Sequence, residues 1–199
     1  MTIPERIGRT AALLMLLAMA MAMMAAPALA QNPPLAGSPE MTRYCTATPD
    51  CRRQVQTSVR MADGQVMTEH LPVHRPAILA DSISVLLGEE VQAVPEFSRG
   101  QFRQWREARR RDEARHTIIS FELTQGTDGS IAAQISNNGE DPVKLRLFVR
   151  LLGSGEEAYI SSCPVAGNGS MFEYWSEPVV ELLIREITVV NDDGALLCD

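Results

Sequence analysis

The chain has 199 residues, 45% of them hydrophobic and 22% charged, with a formal net charge of −7 at pH 7. That length fits one domain with room for a sizeable core, and the acidic balance argues against general nucleic-acid binding, where a basic domain is expected. Apart from the N-terminal stretch, no run is long and apolar enough to read as a membrane span.

The N-terminus predicts export. Arg6 and Arg9 give a short basic region, Ala11 to Ala26 is apolar throughout, and Ala28-Leu29-Ala30 is a small-x-small cleavage signal. Together they read as a secretory signal peptide over residues 1–30. Length alone would also suit a retained membrane helix, but the polar Gln31-Asn32-Pro33-Pro34 after the cleavage signal favours removal. Without Arg6, Arg9 and Glu5, 16 basic and 24 acidic residues remain, a net of −8. Residues 31–43 are a Pro-, Gly- and Ser-rich leader expected to lack fixed structure. One domain is expected over 44–199. The Arg-heavy, nearly Lys-free composition suggests a GC-rich bacterium, which places the mature protein in the periplasm or outside the cell.

All four cysteines follow the signal peptide, and an even count in an exported chain reads as two disulfides. Of three possible pairings we favour Cys45–Cys51, around the bend at Pro49-Asp50, and Cys163–Cys198, which would pin the last strand. Loop closure gives about 2 kcal/mol for the first and about 4 for the second. Neither pair has the Cys-x-x-Cys spacing of a redox site.

In chain order, Val55, Thr57, Val59 and Met61 alternate, Asp63-Gly64 offers a turn, and Gln65 to His70 returns as a hairpin partner. Pro72 and Pro76 bracket an irregular link. Ala77 to Leu87 holds a third strand, and Glu90 to Val94 a short fourth that Pro95 stops. Residues 99–115 lack strand periodicity and read as a short helical or irregular crossover between sheets. Thr117 to Leu123 and Ser130 to Ser136 are strands joined by a Gly-rich turn, and Asn137-Asn138-Gly139 is a strong hairpin signal. The next strand, in Asp141 to Leu152, has the clearest pattern in the chain. Val143, Leu145, Leu147, Val149 and Leu151 share one parity, while Lys144, Arg146 and Arg150 lie on the other, wet face. These three strands read as a meander. Ala158 to Cys163 is a short strand and Pro164 to Tyr174 mostly loop. Ser176-Glu177-Pro178 can cap one helical turn before a strand near Arg185 to Val190. Asn191-Asp192-Asp193-Gly194 turns the chain into a closing strand at Ala195 to Cys198. About eight or nine short strands with turn signals between them predict an all-β antiparallel sandwich.

The residues select no single chemistry. Arg99, Arg103, Arg106, Arg109, Arg110, Arg111 and Arg115 outnumber Glu107, Asp112 and Glu113, a local net of +4 in an acidic chain. Helix-compatible ion pairs make a solvated crossover the simpler reading; an interface for an anionic partner, with Phe102 and Trp105 beside Arg103, Arg106, Arg109, Arg110 and Arg111, is the sharper one. Met171 to Trp175 is the densest aromatic cluster, read as a core plug beneath a loop or as a binding platform of Phe172, Tyr174 and Trp175. His70 and His74 beside Glu69 fall short of a metal set, and Pro72 opposes the helix that such spacing needs. The Asn191–Gly194 turn lacks the oxygen ligands of a calcium loop. No Gly-x-Ser-x-Gly elbow is present, and none of the many carboxylates is singled out by spacing. Asn168-Gly169-Ser170 matches a glycosylation acceptor, relevant only in a host that glycosylates. No catalytic residue, metal or cofactor is assigned. The expectation is a non-enzymatic exported binding or structural protein of the envelope, with a protein, an anionic lipid headgroup or a glycan as partner. A small secreted hydrolase with a site on strand-connecting loops is the alternative, and exchange of β-strands with an envelope partner is a third reading.

Overall fold

The computed structural model describes residues 34–113, 115–160, 162–190 and 198. The signal peptide, and the turn and closing strand expected over 191–198, lie outside the described residues apart from Cys198. One helix, α1 (Pro39–Ala47), is followed by eleven strands: β1 (Arg52–Arg60), β2 (Val66–His74), β3 (Ile83–Leu86), β4 (Glu90–Ser98), β5 (Gln101–Glu107), β6 (Ile119–Gln125), β7 (Ile131–Asn137), β8 (Val143–Leu151), β9 (Glu157–Ile160), β10 (Gly169–Trp175) and β11 (Val179–Val189). A five-stranded sheet in the order β10-β7-β6-β4-β5 packs on a four-stranded sheet in the order β3-β11-β8-β9, and β1 and β2 form a separate ribbon. The all-β antiparallel sandwich predicted from the alternation is the observed fold. Among the described residues, no helix is long and apolar enough to cross a membrane.

The core is what the parity rule dictates. Phe121, Leu123, Ile131, Ala133 and Ile135 of one sheet meet Leu145, Leu147, Leu182 and Ile184 of the other, all at most 3% exposed. Each such aliphatic side chain contributes about 1.5–3 kcal/mol when fully buried. The ribbon and α1 add a third layer on the outer side of the four-stranded sheet. Val179 to Ile184 are therefore buried without alternation, the core on one side and the ribbon on the other. Helix α1 starts inside the stretch expected to be a flexible leader. The Ser38 hydroxyl accepts the Met41 amide at 3.1 Å and Pro39 occupies the first turn, so the helix carries both sequence signals for an N-terminus. The disulfide Cys45–Cys51 ties α1 to β1, with Met41 and Val73 packed around it. Cys163–Cys198 is the second disulfide, so both favoured pairings are present.

Several strand assignments change. The expected meander breaks after β7: β6 and β7 pair in one sheet, but β8 belongs to the other. Asn137-Asn138-Gly139 thus forms an arch between sheets, not a hairpin. Asn137 Nδ2 donates to the Asp141 carbonyl at 2.9 Å, and Asn138 Oδ1 accepts the Ile118 amide at 2.6 Å. The same side chains that favour a tight turn here saturate backbone groups of a wider crossing. Residues 101–107 are not helix but the edge strand β5, paired with β4 from Ala93 to Ser98. Pro95 does not stop β4, because pairing with β6 ends at Ala93 and the missing amide hydrogen falls on the half of β4 that only β5 borders. Pro72 likewise lies within β2, which pairs only with β1. Residues 169–175 are the edge strand β10 rather than loop, and β11 runs from Val179 without a preceding helical turn.

Candidate functional site

Two constellations of polar side chains stand out, one sealed and one open. The sealed one lies between the ribbon and the four-stranded sheet. Glu181 of β11 is 0% exposed because its parity turns it toward the ribbon. Its carboxylate accepts from Ser84 Oγ at 2.6 Å, Arg150 Nε at 2.8 Å and His74 Nε2 at 2.9 Å, and lies 3.7 Å from Arg75 Nε. Arg150 Nη1 also grips both oxygens of Glu69, at 2.9 and 3.1 Å. Arg75 donates to Glu157, as does Arg185, and Arg52 joins Glu89 to Ser84. Burial alone would raise the pKa of Glu181; the hydrogen bond from His74 and the charges of Arg75 and Arg150 more than offset that and hold the carboxyl well below its ordinary range. Arg150, expected on a wet face, is 0% exposed beneath the ribbon. His70 and His74 sit on a strand, where four residues span about 13 Å, and only His74 is buried. They do not converge, and among the described residues no group of three His, Cys, Asp or Glu is arranged to hold a metal.

The open constellation is the outer face of the five-stranded sheet. On edge strand β10, burial alternates, so Met171 and Trp175 face the core while Phe172 and Tyr174 face outward, 52% and 67% exposed. Their rings are 6.4 Å apart and nearly parallel, at 17°. The cluster is therefore neither a core plug nor a uniform platform: Trp175 packs inward and the other two rings form an exposed pair. Strand register places Phe172 beside Gln134, Gln134 beside Glu122, and Glu122 beside Glu90. A parallel row runs Ser170, Ser136, Ser120, Gln92, with Ser136 and Ser170 hydroxyls 2.8 Å apart. This row floors a groove of about 480 Å³ whose rim includes Asn138, Asn168 and Glu113. Asn168, of the glycosylation-like motif, has a left-handed φ of 51° immediately before β10.

Glu113 belongs to the loop after β5, which carries most of the arginines singled out by the sequence. The loop turns around Asp112, which is 3% exposed. Its carboxylate accepts from Arg106 Nη1 at 2.6 Å, Arg106 Nη2 at 3.2 Å and the Arg109 amide at 2.8 Å, with His116 Nε2 at 3.7 Å. The Arg106 hydrogen bonds, the Arg109 amide and the neighbouring positive charge lower the Asp112 pKa to about 2. Arg106 also donates to Glu96 at 2.8 Å. Arg109, Arg111, Arg115 and His116 complete the lining of a cavity of about 340 Å³. Arg103 and Arg110 are exposed away from these contacts. Trp105, expected at an interface, is 3% exposed and packs edge-on to Phe121 at 6.0 Å, so it belongs to the core; Phe102 covers it at 5.3 Å. Pairing with β4 decides this: Trp105 lies opposite Pro95 and is the buried residue of β5, whose burial does not strictly alternate. The Glu181 cluster could not be foreseen, because strand register sets Arg150 beside Glu181 and only the packing of the ribbon on the sheet brings His74 to them. Comparison of the chain with protein-family models, with curated proteins and with solved structures finds no match in any of the three.

Proposed function

We propose that this chain is an exported, non-enzymatic binding module of the bacterial envelope whose ligand is a carbohydrate chain lying across the outer face of the five-stranded sheet. The observation that carries the reading is the pair Phe172 and Tyr174, two near-parallel rings held exposed on one edge strand beside a row of amide and hydroxyl side chains. Exposed apolar groups scattered singly need no explanation, but contiguous ones rimmed by polar residues mark binding surfaces. Aromatic faces offer an apolar plane to the C–H faces of a sugar ring, and Gln134, Gln92 and the serines offer both donors and acceptors to hydroxyls. The two disulfides and the signal-like N-terminus support an oxidising, extracytoplasmic setting.

Native-gel affinity electrophoresis tests the reading. The protein is run through gels containing neutral and acidic polysaccharides, including those prepared from Gram-negative envelopes, beside a Phe172→Ala/Tyr174→Ala variant. The expected result is retardation of the wild type by at least one polymer and at least tenfold weaker retardation of the variant, at unchanged melting temperature. Retardation by none, or equal retardation of both, overturns it. One observation favours the hydrolase alternative: Glu90 and Glu122 lie directly opposite each other on the same face, where cross-strand Cβ atoms approach to about 5 Å. Release of new reducing ends from a retarding polymer, abolished by Glu122→Gln, would replace binding by hydrolysis.

A further inference from the structure

The charge in the loop after β5 gives the carbohydrate reading a chemical class. We infer that the chain bound by this face is an acidic polysaccharide, and that the cavity lined by Arg109, Arg111, Arg115 and His116 receives its carboxylate or phosphate. The inference rests on the carbohydrate reading and adds the sign of the ligand's charge.

Three observations carry it. Arg106 is already compensated by Asp112 and Glu96, but among the described residues Arg109, Arg111 and Arg115 form no ion pair. Three exposed guanidinium groups with no ion-pair partner among the described residues therefore line one cavity of about 340 Å³ beside the already paired Asp112. An incoming oxyanion would find them free to pair.

The second observation is that hydrogen bonds constrain the backbone that carries these groups. The Asp112 amide donates to the Arg109 carbonyl at 2.7 Å, and the amides of Arg115 and His116 both donate to the Asp112 carbonyl at 2.9 Å. With the buried Asp112 side chain on Arg106 and the Arg109 amide, the backbone is wound around a single residue. The cations project from backbone that these hydrogen bonds constrain, so less backbone ordering entropy is lost when an anion binds. The planar forks of arginine match the paired oxygens of carboxylate and phosphate.

Position is the third. The Ala108 amide donates to the Gln92 carbonyl at 3.0 Å, which fixes the start of the loop to the strand that ends the row Ser170, Ser136, Ser120, Gln92. Glu113 lines the groove over that row while its neighbour Asp112 lines the arginine cavity. A polymer that lies on Phe172 and crosses to the neighbouring serine row, beside rather than over Glu122 and Glu90, arrives at the loop that carries the guanidinium groups. Glu113 at the junction repels a second charge there, which favours a polymer with spaced anionic groups.

The test uses matched polymers by isothermal titration calorimetry: polygalacturonate against its methyl ester, and oxidised cellulose bearing C6 carboxylates against soluble neutral cellulose. A glycerol-phosphate polymer serves as the phosphate arm, and phosphatidylglycerol vesicles as a lipid arm. Three proteins are compared: wild type, Arg109→Gln/Arg111→Gln/Arg115→Gln, and Phe172→Ala/Tyr174→Ala. The expected result is that an acidic polymer binds the wild type at least tenfold more tightly than its neutral partner. That preference weakens from 50 to 300 mM salt and is lost in the arginine variant, which keeps the neutral affinity. Equal affinity for acid and ester, or an arginine variant that keeps the preference, overturns this inference and leaves the carbohydrate reading standing. Acid binding lost in the arginine variant but intact in the aromatic variant overturns the carbohydrate platform instead. Binding to vesicles with no polymer binding overturns both.

Discussion

Replacing Glu181 by Gln keeps its size and removes one charge from a fully buried group between the ribbon and the four-stranded sheet. In the wild type that charge faces Arg150 at 2.8 Å and Arg75 at 3.7 Å, both at most 1% exposed. Arg150 keeps Glu69 and Arg75 keeps Glu157 in the variant, so neither cation is stranded, but both lose their fully buried partner. Removing one member of a buried pair costs about 3–5 kcal/mol. With a urea m-value of roughly 2 kcal/mol/M, the unfolding midpoint falls by about 2 M. For a domain of this size each kcal/mol is roughly 2–4 °C in melting temperature, so the transition should move down by roughly 6–20 °C. Far-UV circular dichroism with urea measures the first and calorimetry the second. The folded pKa of Glu181 is depressed below the unfolded value of about 4.3. Its stabilisation is thus present above that value and lost as pH falls through the depressed folded pKa. The wild type should lose stability on acidification more steeply than Glu181→Gln. A loss under about 1 kcal/mol at pH 7, or parallel acid profiles, would refute the reasoning that this carboxylate compensates the buried arginines.

Other outcomes follow from features on the surface and at the sheet edges. A Cβ added at Gly167 would run into the carbonyl of Glu140, so Gly167→Ala should destabilise by at least about 1–3 kcal/mol, as overpacking does, seen as a lower urea midpoint. Losing the Cys163–Cys198 link, which closes a separation of 35 residues, should cost roughly 3–4 kcal/mol by loop-closure entropy; a Cys163→Ser/Cys198→Ser variant as stable as wild type would contradict that. Asp112 has its pKa lowered to about 2 by Arg106 and the Arg109 amide. Its hold on the loop should persist above pH about 4 and fade toward pH 2, and the Arg109 amide proton shift in an NMR titration should track it. Burial raises the pKa of Glu173, which points inward on edge strand β10. Inward charges guard sheet edges against pairing with other chains, so Glu173→Val should raise the thermal midpoint yet increase light scattering on storage.

The class of fold was legible because alternation is a local signal. Leu145, Leu147 and Val149 announce their shared face without knowledge of any partner. What the pattern does not carry is which strand lies beside which. Asn137-Asn138-Gly139 has the chemistry of a hairpin, and only the pairing of β8 with β11 shows that the chain crosses to the other sheet there. Trp105 reads as an interface residue while its segment is taken as a helix; in β5, paired with β4, it is buried against Phe121. Phe172 and Tyr174 are visible as a cluster, but which rings are wet depends on residues 169–175 being a strand rather than a loop. Arg150 read as solvated because nothing local signals that the ribbon folds back over it. The arginine run was recognisable from composition alone, whereas the role of Asp112 as its anchor depends on a turn that periodicity does not encode.

The four-stranded sheet has a consequence in time. Its central strand β11 joins Ile184 to Ile83 and to Leu147, and such long-range pairings slow folding toward the millisecond-to-second range. The hairpins β6–β7 and β4–β5 close over short loops and can form early. Arg150 and His74 have already been synthesised when Glu181 emerges, so they stay hydrated until the last described strand docks. Dehydration of those cations is then coupled to the completion of the sheet, and a chain cut short before Val179 would carry an open sandwich with both halves of its core exposed.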